Sequence, residues 1–152
     1  MGKRKLRRAR ADDTGRNDGE RFIPIPYTMA RSAAWRSLSG AAIKVWCELR
    51  SRFNGINNGD LSLSCDEGAR LLGLGKATIL RAFGELEAKG FIKLSQRGQW
   101  YGRTATTWTV TDRPHRGHLA TRDWRTWTPP RPTSKTASRF RDGTIGPVDG
   151  SI

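Results

Sequence analysis

The chain contains few cysteines and no long apolar run, and these absences exclude several classes of protein. Cys47 and Cys65 are the only cysteines among 152 residues, so we expect reduced thiols rather than the disulfide framework of a small secreted domain. The longest candidate for an amphipathic helix, residues 40–53, is too short and too charged to span a bilayer. The basic start of the chain is followed by polar residues, unlike the apolar segment of a signal peptide. We therefore expect a cytoplasmic protein with no membrane contact.

Motifs for catalysis and for cofactor or metal binding are also missing. Gly75 and Lys76 resemble the end of a phosphate-binding P-loop, but that motif needs glycine at position 70 and serine or threonine at position 77. This chain has Arg70 and Ala77 there, so nucleotide binding is not expected. The two histidines are spaced H-x-x-H in a loop far along the chain from both cysteines, which predicts surface histidines and no zinc site. The sequence predicts no enzyme, no cofactor and no metal.

Positive charge is what the chain has in excess. It carries 28 lysines and arginines against 14 aspartates and glutamates, a formal net charge of +14. The excess is not confined to the ends, because residues 22–128 hold 16 basic and 8 acidic side chains. Polyanions are the natural partners of such a chain, and nucleic acid is favoured over a membrane because no strongly amphipathic basic helix is present.

Composition divides the chain into three segments. Residues 1–21 join a basic block to one rich in Asp, Gly and Asn, which predicts a disordered basic arm. This arm either adds nonspecific phosphate contacts or is a tail that improves solubility. Residues 129–152 are rich in Pro, Gly, Ser and Thr and are predicted to be a disordered tail. Residues 22–128 are predicted to form one domain.

Helical and turn signals begin the predicted domain. Thr28 is predicted to cap a short helix that runs through Trp35. Ser39 is predicted to cap a stronger helix over residues 40–53, whose apolar residues recur at helical spacing. Its predicted buried face consists of Ala42, Ile43, Trp46, Leu49 and Phe53. The turn-rich residues 54–60 follow, and then a short strand over residues 61–63.

Two helices joined by a short turn come next. Ser64 and Glu67 have the S-x-x-E spacing of a capping box, so a helix is predicted from there to Leu72. Ala69, Leu71 and Leu72 are expected to supply its apolar contacts. Residues 73–76 are predicted to form the turn, and residues 77–89 the second helix, ending at Gly90. The predicted buried face of the second helix consists of Ile79, Ala82, Phe83 and Leu86.

A β-hairpin and a short last helix complete the predicted domain. Residues 91–95 and 104–111 are β-prone and flank a polar tip. Trp100 and Tyr101 at this tip are interpreted as cross-strand packing in preference to base contacts. The last helix is predicted to have Thr121 as its cap and Trp124 and Trp127 as anchors. The predicted fold class is therefore α+β, mainly α: a winged helix-turn-helix with a small antiparallel β-hairpin wing.

A family resemblance is visible in the segments LSGAAIKVWCELRSRFNG, LSLSCDEGARLLGLGKATILRAFGELEAKGFIKL and TTWTVTDRP. They resemble bacterial winged helix-turn-helix DNA-binding proteins of the kind linked to phages, plasmids and conjugative elements. They are also similar to the N-terminal winged-helix domains of plasmid replication initiators. The resemblance spans roughly residues 22–128. It implies sequence-specific binding of double-stranded DNA, in the bacterial nucleoid, through the second helix of the motif and the hairpin.

The first turn of such a second helix points its side chains and free N–H groups into the major groove. The predicted DNA-binding residues are Gly75, Lys76, Ala77, Thr78 and Arg81 on the turn and helix, and Arg97 and Arg103 on the wing. Lys76 suits a phosphate, and Arg81 suits the O6 and N7 atoms of guanine. The wing arginines suit phosphates or a narrow minor groove. The alternative is that all of these are ordinary solvated residues.

Two residues of the second helix receive separate predictions. Leu80 lies off the predicted core face, and it either packs on another segment or contacts DNA. Lys89, at the far end of the helix, is not expected to reach the floor of the groove.

Three functions remain open for such a domain. The first is a transcriptional regulator, either a repressor or a regulator of a mobile element. The second is a replication-initiation or origin-binding protein of a plasmid or phage-like element. The third is a protein-interaction module, because winged helices also serve as docking units. Many winged helices bind inverted repeats as homodimers, but no long dimerisation helix is evident here.

Overall fold

The computed structural model of the protein describes residues 21–99 and 101–130. Its elements in chain order are α1 Tyr27–Ala30, α2 Ala33–Arg36, α3 Gly40–Ser51, β1 Leu61–Ser62, α4 Cys65–Leu72, α5 Lys76–Ala88, β2 Ile92–Gln96, β3 Thr107–Val110 and a 3₁₀ helix, Asp123–Arg125. Five α-helices and one antiparallel sheet confirm the predicted α+β class. The predicted disorder of residues 1–20 and 131–152 lies outside the described residues.

The three strands form an antiparallel sheet in the order β1-β3-β2. The hairpin pairs Ile92 with Val110 and Leu94 with Trp108, and a bulge follows Leu94. On the other edge of β3, Leu61 also lies opposite Trp108. Beyond β2 and β3, the hairpin continues through a single bridge between Gln99 and Thr104. The predicted hairpin is thus confirmed, and β3 is the central strand.

The core lies between α3, α5 and the sheet. Trp46 and Leu49 of α3 are fully buried. The predicted buried face of α5 is confirmed, since Ile79, Ala82, Phe83 and Leu86 are all buried. The ring of Phe83 stacks on that of Trp108 in β3, with centroids 5.0 Å apart and an interplanar angle of 5°. This stacking joins the base of the hairpin to α5.

The helix caps and the turn of the α4–α5 pair agree with the prediction in most details. The Ser64 hydroxyl accepts the N–H of Glu67 at 3.1 Å, as expected of an N-cap. Gly73 ends α4 with a φ of 65°, in the left-handed region that favours glycine. Lys76 is the first residue of α5 rather than the last residue of the turn. The predicted contact of Leu71 is wrong, because this side chain faces solvent and is 47% exposed.

Two predicted helix caps are wrong. Thr28 lies inside α1, whose first turn forms on the carbonyl of Pro26, and Ser32 caps a separate helix, α2. Near the C-terminal end, Arg122 rather than Thr121 precedes the 3₁₀ helix, with a φ of 51°. Both segments are too short for helical periodicity to define their start. The predicted anchor Trp124 is confirmed, because it is buried and stacks on Phe91.

Gly90 links the end of α5 to the 3₁₀ helix. The N–H of Phe91 donates to the carbonyl of Leu86 at 2.9 Å, and the N–H of Gly90 donates to that of Glu87 at 3.1 Å. This pair of bonds is a Schellman motif, in which the glycine adopts a positive φ, here 76°. A Cβ atom on Gly90 would lie 2.8 Å from the backbone of Asp123. Both the backbone angle and the close approach therefore require glycine.

Gly90→Ala is expected to lower the free energy of unfolding by about 2 kcal/mol, because alanine is strained at this φ and its Cβ meets backbone atoms. Gly84 is the matched control, since a Cβ atom there meets nothing within 4 Å. Gly84→Ala is expected to raise the free energy of unfolding by about 0.5–1 kcal/mol, the difference in helix propensity. Urea titrations of both variants measure the two effects. A Gly90→Ala variant as stable as Gly84→Ala would contradict the interpretation.

Candidate nucleic-acid interface

The surface of α5 that points away from the core is the candidate interface. Arg81 lies two residues beyond the buried Ile79, about 200° around the helix, and it is exposed as predicted. Gly68 of α4 lets α5 approach closely, because a Cβ atom on Gly68 would lie 3.2 Å from Ile79. The α4–α5 packing therefore directs Ile79 inward and Arg81 outward.

The first backbone N–H groups of α5 create a positive electrostatic potential at the start of the helix. Gly75 is its N-cap residue, and within the described part of the chain no side chain caps the first N–H groups of α5. Such groups form the positive end of a helix and favour an anion. Ala77, in this first turn, is exposed and small, so it leaves the backbone accessible. The start of α5 therefore meets the physical requirements of a phosphate contact.

The cationic side chains of α5 make only weak contacts within the protein. Lys76 Nζ lies 2.5 Å from Asp66 Oδ1, but both side chains are about 70% exposed, and exposed pairs contribute little. Arg81 Nη2 lies 3.4 Å from Thr78 Oγ1, a long hydrogen bond. Over residues 21–99 and 101–130, Arg81 forms no ion pair with a carboxylate. Both cations are therefore accessible to a phosphate or a base edge.

The distal hairpin adds two exposed arginines. Arg97 and Arg103 face solvent, and neither forms an ion pair with a described carboxylate. Arg103 lies in the turn of the hairpin, where it has a φ of 50°. The predicted packing of Tyr101 is wrong, because its side chain near the tip of the hairpin is 100% exposed. The prediction for Trp100 lies outside the described residues.

A polar cluster fixes α5 against α3. Glu85 accepts hydrogen bonds from the N–H of Ser39 at 2.9 Å and from its hydroxyl at 2.6 Å. Burial alone would raise the pKa of Glu85, but hydrogen bonds from Lys89 and Ser39 lower it. Lys89 Nζ also donates to the carbonyl of Ser37 at 2.6 Å and lies 5.4 Å from the ring centroid of Trp127. Lys89 therefore has a structural role that the sequence did not indicate.

Arg52 holds α3, β1 and α4 together. Its guanidinium donates to the carbonyl of Ser62 at 2.8 Å, to Glu48 at 2.8 Å and to Glu67 at 2.9 Å. The hydrogen bond with Glu67 raises the pKa of Arg52 and lowers that of Glu67. The backbone N–H of Ser64 also lowers the pKa of Glu67, as the predicted capping box requires. These contacts position the first helix of the α4–α5 pair.

Two buried polar groups at the end of β3 were not predicted. Asn58 is 5% exposed. Its side-chain amide donates to the carbonyl of Val110 and accepts the N–H of the same residue. Arg50 is 4% exposed and its Nε lies 2.8 Å from Asp112 Oδ2. Burial lowers the pKa of Arg50, and Asp112 opposes this shift. Neither group lies on the candidate interface, but both hold the strand on which the hairpin depends.

The cysteines and histidines are the remaining polar side chains that the sequence singles out. Cys47 and Cys65 are free thiols, and burial raises the pKa of Cys47. His115 and His118 bond each other through their backbones, and His115 is half-buried against Gly59, so the prediction of two surface histidines is wrong for His115. No cluster of three potential metal ligands and no helix able to cross a membrane occurs among the described residues.

The predicted cations Lys76 and Arg81 on the first turns of α5 are exposed, and so are Arg97 and Arg103 on the distal hairpin. The resemblance to bacterial winged-helix regulators stays a prediction. No protein-family model, no curated protein and no solved structure matches this chain.

Proposed function

We propose that the chain is a winged helix-turn-helix protein that binds double-stranded DNA in a sequence-specific way. In this proposal α5 enters the major groove and the β2–β3 hairpin is the wing. The observation that carries it is the exposed first half of α5, where a helix N-terminus without a side-chain cap and two accessible cations point away from the core. A net charge of +14 supports a polyanionic partner.

The contacts divide into those that position the protein and those that read bases. Lys76 and the first N–H groups of α5 contact a phosphate, which fixes the helix in the groove. Arg97 and Arg103 contact the backbone or the minor groove beside it. Arg81 presents two parallel donors to the O6 and N7 atoms of a guanine. Sequence preference therefore depends mainly on Arg81, and overall affinity on the other cations.

Transcriptional regulation in the bacterial cytoplasm is the role we propose for this activity. A small domain that exposes one reading helix suits occupancy of an operator, and we propose binding without catalysis. Selection of bound fragments from the source genome tests the role. Enrichment upstream of genes would support regulation, whereas enrichment at repeats of a replication origin would support an origin-binding protein.

Arg81→Ala is expected to weaken binding to the selected site by about 1–3 kcal/mol and to relax the preference at one base pair. The reason is the loss of a bidentate contact that only guanine satisfies. Fluorescence anisotropy at one fixed salt concentration measures the affinity, and a repeated selection measures the preference.

Arg36→Ala is the matched control, because Arg36 is an exposed arginine on α2 and its loss removes the same charge. This variant is expected to keep the sequence preference. An unchanged preference in the Arg81 variant would assign base reading to the hairpin. No binding of any duplex at low salt would contradict the proposed function and favour a protein-interaction module.

A further inference from the structure

Leu80 is the only large apolar side chain of α5 that is exposed. It is 65% exposed, whereas Ile79, Phe83 and Leu86 are all buried. It lies between Lys76 and Arg81, the two cations of the candidate interface. Leu80 is therefore available for a contact with another molecule.

Most of the Leu80 side chain lies outside the protein interior. Its side chain lines a cavity of about 390 Å³ between α5, the hairpin and the junction of β1 with α4, which Leu63, Phe83 and Trp108 also line. Gly84, one turn along α5, leaves open space beside Leu80, because a Cβ atom there meets nothing within 4 Å. Leu80 and the open space at Gly84 therefore form a small apolar surface on the side of α5 that faces the hairpin.

We propose that Leu80 contacts the C5 methyl group of a thymine, and that the protein therefore reads a thymine as well as a guanine. This inference rests on the proposed insertion of α5 into the major groove. The thymine methyl is the one apolar group that base pairs present in that groove, where the other groups donate or accept hydrogen bonds. In the major groove, the thymine methyl is therefore the group that complements an exposed leucine beside two cations.

The position of Leu80 relative to Arg81 also determines which bases the recognised DNA sequence contains. Consecutive residues on an α-helix diverge by about 100°, so Leu80 and Arg81 contact different base pairs. Glu87, exposed beyond Gly84 on the same side, repels phosphates and limits the contact to the first turns of α5. The recognised sequence therefore contains a thymine and a guanine close together.

Replacement of single thymines by deoxyuridine tests the inference, because this change removes the methyl group and leaves base pairing intact. The probes are duplexes of the selected site with one replacement each. Their dissociation constants are measured with the wild-type chain, with Leu80→Ala, and with Leu119→Ala as a matched control, since Leu119 is 87% exposed in the loop after β3. Thermal unfolding followed by circular dichroism verifies that all three chains fold.

At one or two positions, deoxyuridine is expected to weaken binding by the wild type and by Leu119→Ala about fourfold, the effect of one buried methyl group. The same replacements are expected to have no effect on Leu80→Ala. Equal sensitivity of Leu80→Ala and the wild type, or no sensitive position on a selected site, would overturn the inference alone. Failure to select any site would instead refute the proposed function and this inference together.

Discussion

Asp112→Ala is expected to lower the free energy of unfolding by about 3–5 kcal/mol. The substitution leaves the guanidinium of Arg50 buried without the carboxylate that lies 2.8 Å from its Nε, and an uncompensated buried charge is strongly destabilising. The guanidinium of Arg50 also lies 5.3 Å from the ring centroid of Phe53, a contact that favours its buried position. Urea unfolding followed by tryptophan fluorescence measures the loss.

The double variant Arg50→Met, Asp112→Ala separates charge from packing. It is expected to recover most of the stability that Asp112→Ala loses, because the buried guanidinium is then removed together with its carboxylate. Arg113, whose Nε lies 3.6 Å from Asp112 Oδ2, loses this carboxylate in both variants alike. Asp66→Ala is the control, since it breaks the exposed pair with Lys76 and is expected to cost less than about 1 kcal/mol. If Asp112→Ala were as mild as this control, the pair would not be the buried support described above.

Asn58→Ala is expected to lower the free energy of unfolding by about 3 kcal/mol. The side-chain nitrogen of Asn58 lies 3.0–3.1 Å from the carbonyl oxygens of Val110, Arg113 and Pro114. Its oxygen accepts the N–H of Val110 at 2.9 Å. Alanine leaves the N–H and the carbonyl of Val110 buried without their partner, and each such group costs about 1–3 kcal/mol. Urea unfolding measures the change.

Asn54→Ala is the matched control in the same loop. The Asn54 side chain accepts the N–H groups of Ile56 and Asn57 at 3.1 Å, but these bonds are exposed. Water can replace them, so the loss is expected to stay below about 1 kcal/mol. If both variants lowered the free energy of unfolding by similar amounts, burial would not make the hydrogen bonds of Asn58 more stabilising than those of Asn54.

The parts of the fold that follow from neighbouring residues were predictable from the sequence. The buried face of α5 repeats at helical spacing within one segment, and Ser39 and Ser64 are N-caps whose hydrogen bonds span three residues. Asn58 was not predictable as a buried residue, because it lies among turn-forming residues and its partner Val110 is 52 positions away. Arg50 was missed for the same reason, since Asp112 is 62 positions away.

In the candidate site, too, features set by neighbouring residues were predictable and features set by distant contacts were not. The exposure of Arg81 could be derived from the position of Ile79 on the same helix, because both belong to one periodic segment. Lys89 could not be interpreted in this way, since its contact with Ser37 joins two distant parts of the chain. The contacts of Lys76, Arg81, Arg97 and Arg103 with DNA stay predictions that depend on the variants proposed above.

The central place of β3 in the sheet has a consequence for the order of folding. β3 pairs with β2 across a short hairpin but with β1 between positions 61 and 108. Closing the longer loop costs more chain entropy, and a high contact order slows folding. The hairpin can therefore form early from local contacts, whereas β1 can join only after α4 and α5 have brought distant parts of the chain together. We therefore expect the two residues of β1, Leu61–Ser62, to join the sheet after the hairpin has formed.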